Sequence, residues 1–182
     1  MKFLKGLLII LTLVIVACKT TTPPQSMTID GMTLTLPEGF KEFQKDNAMS
    51  FDGIPALQNW YEKRDGGNTA TLKITRFDVA HMEKEDPDYV TELCLSQQRV
   101  FYSENHDDTY KYSESQPLSI SGKKGYVLTY DDNTISGSHL KGEMIAVKCG
   151  SKVMVLNYTD FNDHFEKAKG DWEAIKSSIK VN

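Results

Sequence analysis

The chain has 182 residues, with 21 basic and 25 acidic side chains and a net charge of −4. This length suits one domain with a single core. The acidic balance excludes nucleic acid as a general partner, because displacing counterions from a phosphate backbone needs a basic stripe.

The first residues carry an address. Lys2 and Lys5 precede an apolar run from Gly6 to Ala17, well short of the roughly 20 residues a spanning helix needs. Ile15-Val16-Ala17-Cys18 then reads as a lipobox, with branched aliphatic and small residues placed before the cysteine. The expected organisation is therefore a signal peptide over 1–17, a lipid on Cys18, a polar tether over 18–26 (KTTTPPQS after the cysteine) and one domain over 27–182. This places the protein outside the plasma membrane of a bacterium, held to the bilayer through Cys18. Lys19 stands where some bacteria use an aspartate to retain lipoproteins in the inner membrane, which points towards the outer one.

From Met27 the pattern alternates. MTIDGMTLTL (27–36) sets Asp30-Gly31 between two strands, a strong hairpin signal. Residues 40–53 have no regular period; Phe40, Phe43 and Phe51 are expected to tuck under the sheet. A second hairpin runs from Gln58 to Arg64, through Asp65-Gly66-Gly67-Asn68, to Thr69–Phe77. At Asp86-Pro87 the period changes to helical. Asp86 caps, Pro87 suits the first turn, and Val90, Leu93, Cys94, Gln97 and Phe101 define one face up to about Ser103.

Strands follow at Tyr110–Ser115, Leu118–Ser121, Tyr126–Tyr130, Leu140–Cys149 and Lys152–Tyr158. Residues 144–147 and 153–156 are apolar at both parities, as in strands covered on both faces. Phe161, Phe165, Ala168, Trp172, Ile175 and Ile179 mark a closing helix, in which Gly170 predicts a bend or a close contact. The expected architecture is α+β: a mostly antiparallel sheet with one helix on each face.

MTIDGMTLTLPEGF (27–40), MIAVKCGSKVMVLNY (144–158) and WEAIKSSIKV (172–181) together resemble the PsbP-like fold. That fold is known from extrinsic subunits of photosystem II, from a nuclear-import factor that binds the Ran GTPase and from small bacterial lipoproteins. The resemblance implies a non-enzymatic accessory or binding module.

The residues themselves offer little catalytic chemistry. His81, His106, His139 and His164 are scattered without metal-ligand spacing, so neither metal nor cofactor is expected. Asp132, Thr134, Ser136, Gly137 and Glu143 match the spacing of a calcium loop, but the carboxylates and flanking helices are missing. Ser121/Lys124 and Ser177/Lys180 have Ser-x-x-Lys spacing without the accompanying motifs of an acyl-enzyme. Gly137 and Gly142 have phosphate-loop spacing, with Glu143 where lysine belongs. Cys94 and Cys149 either bridge, adding about 4 kcal/mol by the chain-entropy argument, or pack as buried thiols. Trp60, Tyr61, Tyr102, Tyr110, Tyr112, Tyr126, Tyr130 and Tyr158 exceed what one core face requires.

The leading expectation is a lipoprotein presenting a binding module to an envelope protein. A carrier of a small or lipid-like ligand, with a pocket near Trp60 or Trp172, is the first alternative. A hydrolase gathering Ser138, His139 and a carboxylate is the second.

Overall fold

The structure, a computed structural model, describes residues 22–104, 110–133 and 139–182. Strands β1 (Gln25–Ile29) and β2 (Met32–Leu36) open the fold, followed by β3 (Lys41–Phe51), β4 (Ile54–Asp65) and β5 (Asn68–Asp78). Helix α1 (Pro87–Glu104) precedes β6 (Tyr110–Tyr112), β7 (Gln116–Ile120), β8 (Lys123–Asn133), β9 (His139–Cys149) and β10 (Lys152–Phe161). Helix α2 (Asn162–Ser178) and β11 (Lys180–Val181) close it. An antiparallel eight-stranded sheet has the order β3-β4-β5-β10-β9-β8-β6, with β7 also pairing along β8.

The expected helix-sheet-helix sandwich is present, with one addition. The hairpin of β1 and β2 leaves the main sheet and forms a three-stranded sheet with β11. The expected helical stripe ran to Ile179, but that residue is extended (φ −65°, ψ 126°) and buried. It returns the chain beside β2, where Lys180 pairs with Thr33. The first strand also begins at Gln25, so the end of the expected tether belongs to the fold.

Turn chemistry sets the hairpins. Asp30-Gly31 adopts φ of 44° and 83°, the doubly positive conformation that Asp-Gly favours. The same signal at Asp52-Gly53 (φ 46° and 80°) joins β3 to β4, which makes residues 41–51 a strand despite their irregular pattern. Helix α1 starts as its sequence indicates: Asp86 Oδ1 accepts from the backbone N–H of Asp88 (2.8 Å) and Tyr89 (3.1 Å).

Each face of the large sheet has its own core. Val90, Cys94, Leu95 and Tyr102 of α1 pack on Val153, Val155, Met144 and Ala146. On the other face Trp172 and Ile175 of α2, with Met32, Leu34 and Leu36 of β2, pack on Met154, Leu156, Tyr158 and Ile145. Cys94 lies in the first core and Cys149 in the second, and both are free thiols. The sheet stands between them, so the bridging alternative gives way to buried thiols. Burial pushes Cys94 up to about 12 and Cys149 up to about 11.

Two glycines behave oppositely. A Cβ on Gly142 would lie 2.1 Å from the Tyr130 ring, whose hydroxyl donates to Asn157 Oδ1 at 2.8 Å. A Cβ on Gly170 would meet nothing within 4 Å, so the close contact expected there does not exist.

Gly170→Ala is expected to stabilise the domain by about 0.5–1 kcal/mol and Gly142→Ala to destabilise it by about 2–3 kcal/mol, as read from denaturant midpoints. Both thiols should resist a thiol reagent at pH 8 until denaturant is added. Because their folded pKa values are raised, their contribution to stability is full below pH 9 and declines as pH rises from there towards about 12.

Candidate functional site

The chain enters the domain beside the start of β3. Thr22 O accepts from the Gly39 N–H at 2.7 Å, and Gln25 Nε2 donates to Phe40 O at 3.4 Å. Phe40 is fully buried and fixes this corner. Immediately after it, β3 changes register against β4 between Glu42 and Gln44 and again between Gln44 and Asn47. Phe43 falls in this bulged stretch and is 58% exposed. It does not tuck under the sheet as expected, whereas Phe40 and Phe51 are buried. A bulge offsets the two-residue alternation, so a phenylalanine spaced like a core residue faces water instead.

The Phe43 ring rests on Trp60, with centroids 4.7 Å apart, and the Lys73 ammonium sits 4.5 Å from the Trp60 ring centre. Phe43 also lines an open cleft of about 340 Å³ with Gly39, Lys41, Glu42, Glu62 and Arg64. Exposed aromatic surface, the root of the chain and a bulged sheet edge thus share one corner of the molecule.

On the opposite face of the same strands, a cleft of about 430 Å³ separates β1 from β3, β4 and β5. Arg76 pairs there with Asp30 at 3.3 Å and with Asp46, tying the β1–β2 turn to the β3 bulge. Asn59 Oδ1 and Arg76 Nε are buried without a protein partner among the described residues. Tyr61 lines this cleft, and burial, reinforced by Glu42, pushes its hydroxyl up to about 12.

A third cleft, beside α2, holds a histidine–carboxylate pair. His164 Nδ1 lies 2.7 Å from Asp160 Oδ2, and Asp160 is fully buried. Lys63 and Asp171 pair at 2.6 Å in the same cleft. The residues lining it carry no hydroxyl or thiol side chain.

The motifs singled out in the sequence do not assemble into a site. Residues 134–138 lie outside the described residues, and with them Thr134, Ser136, Gly137 and Ser138; His106 lies outside them as well. His139 is exposed. Glu143 pairs with Lys176 at 2.9 Å. Burial works against the Lys176 charge, but hydrogen bonds to Glu173 and Glu143 outweigh it and raise its pKa. Ser121 occupies a turn (φ 51°) and donates to Ile179 O at 3.1 Å, while Lys124 pairs with Asp88. Among the described residues no three His, Cys, Asp or Glu side chains gather where a metal could be held, and no helix is long and apolar enough to cross a membrane.

Most of the aromatic excess serves the two cores. Tyr61, Tyr102, Tyr126, Tyr130 and Tyr158 are buried, and Tyr158 stacks on Trp172 at 5.2 Å. Trp60, Tyr110 and Tyr112 are half-buried. Phe43 and Tyr89 are surface aromatics that sequence reasoning missed, Phe43 by assigning it to the interior; the irregular run over 40–53 was its one trace.

The fold is PsbP-like. It matches cyanobacterial PsbP (CyanoP) from Synechocystis sp. PCC 6803 with a TM-score of 0.62 at 12% identity, over 88% of this chain and 94% of that one. It also matches LpqN, involved in cell envelope biogenesis of Mycobacterium tuberculosis, with a TM-score of 0.51 at 12% identity, over 88% and 86%. No protein-family model and no curated protein matches the sequence.

The display of Phe43 is open to a stability test. Phe43→Ser is expected to cost at most about 1 kcal/mol, the order of one aromatic pair, whereas Phe40→Ala should cost about 3–5 kcal/mol through an unfilled core. Comparing the two by chemical denaturation separates a surface phenylalanine from a buried one.

Proposed function

We propose that the chain is a membrane-anchored lipoprotein that presents a non-enzymatic accessory domain to a protein partner in the bacterial cell envelope. The observation that carries this reading is the junction at Thr22. Four residues after Cys18, the backbone is already hydrogen-bonded to Gly39, so a lipid on Cys18 would hold the folded domain close against its membrane. Four residues extended reach no more than about 14 Å.

The packing supports a module that works through its surface. Both faces of the sheet are filled by side chains and Trp172 stacks on Tyr158, while the cleft of about 330 Å³ that Trp172 lines is open and shared with Lys111, Asp131, Lys141, Glu143, Glu166 and Lys169. The clefts described above are open and lined largely by charged groups. LpqN, of similar fold, is involved in cell envelope biogenesis, which agrees with an extracytoplasmic setting. The outer membrane is the favoured site, from Lys19. Exposed Tyr89 and Val100 on α1 offer a partner apolar surface.

The test is mass spectrometry of the full-length protein, extracted in mild detergent from its own membranes, beside Cys18→Ala. The expected result is a lipid on Cys18 and a stoichiometric protein partner that is lost with the substitution. A bound small molecule with no protein would overturn this reading in favour of a carrier.

A further inference from the structure

The bulged corner of β3 is an exposed apolar feature whose neighbour is fixed by the covalent chain. On the lipoprotein reading, Cys18 sits in the bilayer surface, and the four residues from there to Thr22 span at most about 14 Å. Thr22 is bonded to Gly39, and Gly39 lines the same cleft as Phe43. Phe43, four residues beyond Gly39, is therefore within reach of the lipid headgroups.

We propose that the Phe43 edge of β3 is a bilayer-contacting surface, through which the domain rests on the membrane beside its own anchor. This rests on the lipid-anchor reading given above. Phe43 enters the interfacial region, and Trp60, packed beneath it, stands at the headgroup level that tryptophan favours.

The geometry distinguishes a lipid surface from a protein strand as the occupant. Although β3 is the outer strand of the large sheet, its ladder is broken twice between Glu42 and Asn47, and Asp46 has a φ of 50°. Such bulges prevent another strand from pairing along that stretch, whereas a fluid bilayer needs no register.

The charges define the kind of contact. Lys41, Lys45 and Arg64 are offset by Glu42, Asp46 and Glu62, with Arg64 paired to Glu62 at 3.0 Å, and Lys73 over Trp60 adds one further positive charge. Attraction to anionic headgroups is therefore weak, and the contact depends mainly on aromatic insertion. One inserted phenylalanine is too weak to recruit a free protein. It suffices for a domain already tethered, whose local concentration at the surface is high.

The chain has two tryptophans, and Trp172 is 1% exposed, so Trp60 reports on this corner. The experiment uses full-length lipidated protein carrying Trp172→Phe in vesicles of phosphatidylethanolamine and phosphatidylglycerol, with or without bromines on the upper acyl carbons. Trp60 emission is expected to fall at least two-fold with brominated lipid, to change little between low and high salt, and to lose most of that quenching in Phe43→Ser. Protein retaining both tryptophans, compared with and without Phe43→Ser, gives the same reading over a constant Trp172 background should Trp172→Phe not fold.

Lipidated Cys18 with Trp60 unquenched overturns this proposal alone and leaves the anchor in place. Quenching that persists in Phe43→Ser also overturns it. A protein lost from the purified complex in Phe43→Ser, with no quenching before or after, assigns the corner to a protein partner and contradicts the bilayer contact. Absence of lipid on Cys18 in the intact mass removes the anchor reading, and this proposal falls with it.

Discussion

Strand β10 is the constraint on which the rest of the molecule depends. Val153, Val155 and Asn157 face α1, Met154, Leu156 and Tyr158 face α2, and all six are buried. A strand with no wet face must have a layer on each side. It is also flanked in the sheet by β5 and β9, so neither of its edges is free. The two helices, the small sheet and the separation of Cys94 from Cys149 all follow from covering this one element.

That constraint was legible from the chain alone, because apolar residues at both parities over 153–156 have no other stable arrangement in a strand. The helical period after Asp86-Pro87 and the Asp-Gly turn at 30–31 were equally plain, since each rests on neighbouring residues. What escaped was set by distant pairing. The three-stranded sheet requires β11 to find β2 across most of the sequence, and a two-residue strand has no period to detect. The Asp52-Gly53 turn was present as a signal, but the bulges before it hid the strand it terminates.

The candidate site was legible in the same uneven way. Cys18 and its lipobox stand out locally, and they lie outside the described residues. Phe43 was visible as an aromatic residue but was assigned to the interior, because alternation is the rule that bulges suspend. The tyrosines erred in the other direction: an apparent excess of surface aromatics proved to be the lining of two cores instead of one. The Arg76 bridge to Asp30 and Asp46 joins a turn to a bulge, and no sequence spacing announces it.

With the domain resting on its bilayer as proposed, the tether root and the β3 corner form its membrane-facing end. The Gly150-Ser151 turn, which pairs with the Asp78 end of β5, lies at the other end of the sheet. The most direct measurement is the depth of a spin label on the lipidated full-length protein in vesicles, placed at Gln44→Cys in one sample and Ser151→Cys in another, with Cys94 and Cys149 shielded by burial. The account predicts that the label at 44 is accessible to oxygen from the lipid phase and shielded from a water-soluble relaxant, while the label at 151 shows the reverse. Equal aqueous exposure at both positions, or lipid contact at 151 instead, would contradict it.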